Sequence, residues 1–187
     1  MKKNTLSRYQ RTENNKVIIE IATDEIKYLY NNFDKHAPYV RKDLDPDLTD
    51  YLIDSAAEIG KEEFVIHFML NKLEDENLIE RVKASVRNYF IYLIDRENRD
   101  MNKLLKMSMT YFLIGIAILS LSYWFNQGTL NIDTYFSHIL TQGLNIAAWV
   151  SLWNAIATFL INWPPHRDLI RLYQRIAQAE ISFSASD

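Results

Sequence analysis

Two uncharged stretches, residues 107–125 and 139–163, decide what this chain can fold into. Each approaches or exceeds the roughly 20 residues that a helix needs to cross about 30 Å of hydrocarbon, and a soluble core helix rarely stays uncharged so long. They predict a transmembrane hairpin. Average composition conceals it, because 24% charged residues and a mean hydropathy of -0.20 blend a charge-rich segment, 1–106, with an almost purely apolar one, 107–163.

The flanking charges set an orientation. Arg96, Arg99, Lys103 and Lys106 precede the first stretch and Arg167, Arg171 and Arg175 follow the second, while the connecting loop, 126–138, carries only Asp133. Basic residues beside membrane spans stay on the cytoplasmic side, so both termini are expected in the cytoplasm and the loop outside. Trp124, Tyr135, Phe136 and Trp163 fall where amphipathic rings settle at an interface. The start of the chain is basic but leads into a polar stretch, 9–16, so no cleavable signal peptide is expected.

The charge-rich part reads as a small α/β domain preceded by a polar, loosely attached stretch, 1–15. Val17-Ile18-Ile19-Glu20-Ile21 alternates as a half-buried strand with Val17, Ile19 and Ile21 inward. Thr23, Asp24 and Glu25 suit the start of a helix whose stripe is Ile26, Leu29, Tyr30 and Phe33. Asp45-Pro46 is an N-cap followed by proline in the first turn, predicting a second helix that runs to Ile59 and ends at Gly60, with Leu48, Tyr51, Leu52, Ser55 and Ile59 buried. A second strand follows with Phe64, Ile66 and Phe68 inward. Two strands alone are marginal in water, so the sheet is expected to lean on its helices or to extend through another copy of the chain.

From about residue 75 an apolar face recurs every three to four residues, without proline and with no glycine before Gly115, predicting one helix to about residue 125, on the order of 75 Å at 1.5 Å per residue. Pro164-Pro165 is expected to end the second span. A short amphipathic helix comes next, with Leu169, Leu172, Tyr173 and Ile176 on one face and Arg167, Arg171 and Arg175 on another, either facing water or holding anionic lipid headgroups. Small and weakly polar stripes on the spans, with Gly115, Ser151, Asn154 and Thr158 the chief members, point to close helix packing. Neither span holds a charge, and Asn145, Asn154 and Asn162 would line a polar path only if several copies assembled.

Sharper chemistry finds little footing. Asp43, Asp45, Asp47, Thr49, Tyr51 and Asp54 mimic the oxygen spacing of a calcium loop, but Leu48 stands where that loop needs glycine and Pro46 favours a helix start. His36, His67, His138 and His166 lack metal-ligand spacing, zero cysteines exclude thiolate sites and disulfides, and no glycine-rich phosphate cradle occurs. His67 shares a sheet face with Glu20 if the two strands pair, a local polar pair or interface contact. With a net charge of -3, nucleic acid is not an expected partner. No cofactor or metal is expected, and the chain does not read as an enzyme.

The stretch Arg41-Lys42-Asp43-Leu44-Asp45-Pro46-Asp47-Leu48-Thr49-Asp50-Tyr51-Leu52-Ile53, the strand Phe64-Val65-Ile66-His67-Phe68, and Trp149-Val150-Ser151-Leu152-Trp153-Asn154 with Phe159-Leu160-Ile161-Asn162-Trp163-Pro164 resemble a family of small bacterial two-span membrane proteins with no assigned activity, over residues 17–176. The resemblance implies a bacterial inner membrane.

The sequence therefore predicts an α+β membrane protein. A cytosolic α/β domain of order β-α-α-β-α with its stalk, 16–106, continues into a two-helix transmembrane hairpin, 107–163, and an amphipathic helix and tail, 164–187. Residues 16–95 are expected to fold largely on their own. The expected role is a membrane-anchored scaffold or adaptor, self-associating and meeting an unknown protein partner at the cytoplasmic face. The alternatives are a small oligomeric membrane-perturbing effector and an accessory subunit of a transporter.

Overall fold

The computed structural model describes residues 6–34, 36–72, 75–126 and 134–185. Most of the predicted hairpin loop, 127–133, and residues 1–5 lie outside them. The chain divides into two compact units. Met1–Arg96 joins with Leu169–Asp187 in the first, and Glu97–Asp168 forms the second. The second unit is thus one continuous insertion that leaves the first and returns to it.

The first unit is built on a three-stranded, all-parallel sheet in the order β1 (Val17–Thr23), β2 (Phe64–Leu70), β3 (Glu180–Ala185). Parallel neighbours require crossover connections. The first crossover carries α1 (Pro46–Ile59); the second carries α2 (Glu76–Asn126), α3 (Thr134–Ala157) and α4 (Trp163–Gln178). Val17 and Ile19 of β1 and Phe64, Ile66, Phe68 and Leu70 of β2 share one sheet face, where Ile66 pairs with Ile181 and the Phe68 and Phe183 rings stack at 5.0 Å. Leu52, Ala56 and Ile59 of α1, Val82, Val86, Phe90 and Leu93 of α2, and Tyr173, Ile176 and Ala177 of α4 bury themselves in the same core. Full burial of each large aliphatic side chain contributes about 1.5–3 kcal/mol.

The third strand corrects the two-strand expectation: the chain completes the sheet with its own segment 180–185. Its alternation is short and its polar face is serine, so no propensity announces it. The domain boundary shifts with it. Residues 16–95 lack a strand and the Tyr173, Ile176 and Ala177 packing, which α4 supplies as its apolar face predicted. Residues 6–15 are also better tied than expected, with Tyr9 donating to Glu58 at 2.8 Å, Arg11 bonded to Glu62 at 2.7 Å and Ile18 N–H donating to the Gln10 carbonyl.

Helix α1 begins and ends as its sequence dictates. Asp45 accepts from the Asp47 N–H at 2.9 Å, Pro46 occupies the first turn, and Gly60 follows at φ 73° with its N–H on the Ala56 carbonyl. Tyr51, expected inside, is 45% exposed, and Thr49 takes an inner place because its hydroxyl is satisfied within the helix by the Asp45 carbonyl.

The expected helix after Thr23 is instead a series of 3₁₀ turns, Ile26–Leu29, Asn32–Asp34 and Tyr39–Arg41. Polar side chains capture the backbone there: Asn31 Oδ1 accepts from Phe33 N–H and Asp34 Oδ2 from Asp43 N–H. Ile26, Leu29 and Tyr30 are buried as anticipated, while Phe33 is 99% exposed.

Helix α2, which begins in the first unit and ends in the second, matches the continuous helix read from the sequence. The Pro164-Pro165 stop does not occur. A π turn, Thr158–Asn162, leads directly into α4, and both prolines are taken up just after it within helical backbone. His138–Gln178 is therefore one helical run of 41 residues. Both long helices are apolar enough to cross a membrane by length and composition, with best windows of mean hydropathy 1.8 and 1.6.

Candidate functional site

The sheet has a second face, and it is the least expected surface of the first unit. All-parallel sheets normally bury both faces. Here Ile18 and Glu20 of β1, His67 and Met69 of β2, and Ser182 and Ser184 of β3 are exposed or half-buried and none joins the core cluster, while Val65 on the same face is buried. Glu20 is the register partner of His67, as the sequence suggested if the strands paired. Sequence reading missed the serines, because only the parallel register of β3 brings Ser182 opposite His67.

The His67 ring spans both hydroxyls, Nδ1 to Ser182 Oγ at 2.7 Å and Nε2 to Ser184 Oγ at 3.0 Å. A neutral imidazole has one donor and one acceptor, so one serine accepts from the ring and the other donates to it. The arrangement ties edge strand β3 to the centre of the sheet.

At the carboxyl end of β1 and β2, the same face runs into a depression of about 390 Å³ lined by Ala22, Thr23, Asp24, Tyr28, Met69 and Asn71. Asn71 donates to Asp24 Oδ1 at 2.8 Å. Among the described residues no group of three or more acidic or histidine side chains is placed to hold a metal ion. The acidic run before α1 is spent on local structure, since Asp45 caps the helix.

The three arginines of the C-terminal helix part company. Arg175 turns inward, donating to the Ala56 carbonyl at 3.3 Å and the Glu62 carbonyl at 2.8 Å, with its guanidinium 5.0 Å from the Phe64 ring centre. Desolvation lowers its pKa. It closes the end of α1. Arg171 is exposed in the first unit. Arg167, in the second, is exposed and lies 5.7 Å from the Trp163 ring centre.

Within the second unit the two long helices run antiparallel along a narrow seam. On α2 the less exposed positions are Met101, Leu104, Ser108, Tyr111, Gly115, Ile118, Ser122 and Phe125, alternating three and four apart as in a coiled coil; on the other helix they include Thr141, Leu144, Ala148, Ser151, Ala155 and Thr158. Ser108 donates to the Ala155 carbonyl at 2.9 Å and Ser122 to Asn145 Oδ1 at 2.8 Å. A Cβ on Gly115 would lie 2.8 Å from Leu152 Cγ and 3.3 Å from the Ala148 carbonyl oxygen, so glycine is needed for this approach. Gly115 and Thr158 are both buried. Ser151 is half-buried with its hydroxyl on the Ala147 carbonyl of its own helix, and Asn154 lies on the exposed side, outside the seam.

No family model, curated protein or solved structure matches the chain.

Proposed function

We propose that this chain is an integral membrane protein of the bacterial inner membrane that works as an anchored interaction module. The carrying observation is the insertion of the apolar helix pair into a single folded unit. A segment that leaves and re-enters the same water-soluble unit crosses a bilayer an even number of times if it crosses at all. The most apolar windows are only 6% and 11% buried, unlike core helices of soluble proteins. Trp149, Val150, Trp153 and Ile161 are among the side chains left exposed, as a lipid-facing surface requires.

The basic flanks and the motif resemblance to small bacterial two-span proteins support a cytoplasmic position for both ends. The module binds rather than catalyses in this reading, self-associates, and offers a protein partner the half-exposed sheet face around His67. Alkaline carbonate extraction combined with thiol labelling of the cysteine-free chain tests the anchoring. Lys61→Cys should be shielded from an impermeant reagent in intact cells and Asn126→Cys labelled; release by carbonate, or the reverse labelling, would overturn the proposal.

A further inference from the structure

The seam between the long helices does not fill one side of the pair. There Leu105, Lys106, Met109 and Phe112 of α2 face Ile156 and Phe159 across a groove of about 750 Å³. The π turn that begins at Thr158 lies beside it, and such turns frequently mark functional positions. From Phe159 a ladder continues along the helix: its ring stacks on Trp163 at 5.4 Å and 11°, and the Arg167 guanidinium lies 5.7 Å from the Trp163 ring centre.

The polarity of this surface is graded. Apolar walls give way to an amphipathic indole and then to a cation, with Lys106 as the charged member of the groove lining and no carboxylate among the lining residues. An anionic phospholipid carries the complementary sequence of acyl chain, interfacial ester region and phosphate. A second copy of this chain seated in the groove by a two-fold axis would bring its own Lys106 toward the first, a like-charge approach that disfavours that occupant.

We propose that the groove holds the upper part of one acyl chain of an anionic phospholipid, with the head drawn to Lys106 and Arg167. This rests on the membrane reading above and replaces the set of three arginines with a site made of one arginine, one lysine and an apolar slot. Lysine snorkels from such a wall, its stem on the apolar surface and its ammonium toward the phosphate.

The test uses the full chain with Trp124, Trp149 and Trp153 replaced by phenylalanine, leaving Trp163 as the reporter, in phosphatidylcholine bilayers. Phosphatidylglycerol brominated high on its acyl chains should quench Trp163 at lower mole fraction than brominated phosphatidylcholine, by about fivefold for each cation that contributes. Lys106→Gln and Arg167→Gln should each reduce that preference while leaving quenching by brominated phosphatidylcholine unchanged, which shows that insertion is intact. Equal quenching by the two lipids, or a preference untouched by both substitutions, would sink the lipid site. Absence of quenching by either lipid would instead sink the membrane reading. Disulfide-linked dimers of Met109→Cys would assign the groove to a second copy.

Discussion

His166 Nδ1 lies 2.6 Å from the Glu97 carboxylate, at the opposite end of the helix pair from the Ser122–Asn145 bond. The intervals explain the meeting. Glu97, Ser108, Gly115 and Ser122 on one helix face His166, Ala155, Ala148 and Thr141 on the other, stepping in opposite directions along the seam. The less exposed positions on the second helix pass from Thr158 to Trp163 and His166, an interval of five that contains the π turn. Without that extra residue the seam would meet Pro165, whose ring nitrogen is a substituted amide with no proton to donate to Glu97.

Replacing Glu97 and His166 by alanine, singly and together, should therefore show coupling. A double-mutant cycle on the detergent-solubilised chain is expected to give an interaction of about 1 kcal/mol, since both side chains are largely shielded. Strictly additive losses in thermal unfolding would show that the contact contributes nothing.

Gly115→Ala should destabilise the helix pair by about 1–2 kcal/mol, because the added methyl meets both Leu152 and the Ala148 backbone. Leu152→Ala in the same chain should recover part of that loss. Failure of the second substitution to compensate would place the obstruction at the Ala148 carbonyl alone.

Tyr30 predicts an alkaline limit for the first unit. It is 4% exposed, and burial pushes its pKa from 10.0 up to about 12, with the nearby Ser85 hydroxyl acting in the opposite sense and Tyr39 adding to the rise. The two hydroxyls lie close without meeting hydrogen-bond geometry, to each other or to another partner. Below pH 10 both folded and unfolded chains keep the phenolic proton and stability is unaffected. As pH rises toward about 12 the unfolded chain ionises first, so folding should lose about 2–3 kcal/mol through this group. Tyr30→Phe should flatten that part of the denaturant-midpoint profile; an unchanged slope would refute the assignment.

A chain ending at Asp95 should fail to fold, contrary to what its strands and caps suggest. Joining residues 6–96 to 169–185 through a flexible Gly/Ser linker should restore one cooperative urea transition, because that piece returns β3 and the buried Tyr173, Ile176 and Ala177. Cooperative unfolding of the shorter piece would show that the last strand is dispensable.

Legibility in the sequence followed the range of the forces involved. The Asp45 cap, Pro46 and Gly60 act within a turn of themselves, so α1 could be read to the residue, and the alternation of Val17 and Ile19 or of Phe64, Ile66 and Phe68 declared two strands and their inner face. Ser182 and Ser184 become part of a site only through a parallel partner far away in sequence, a relationship that no local pattern carries. Phe33 misled because Asn31 and Asp34 bind the backbone instead of letting a helix continue. Arg175 misled for a related reason: its spacing matched Arg167 and Arg171, yet the Ala56 and Glu62 carbonyls made a better partner than water.

The position of β3 after both long helices imposes an order on biogenesis. While the ribosome is still making α3, the chain already contains β1, α1 and β2, but the free edge of β2 has no strand to receive. Unpaired edges of this kind recruit other chains, so the interval is one of exposure to misassembly. Closure of the sheet reports that the apolar pair has been completed and its far end has returned.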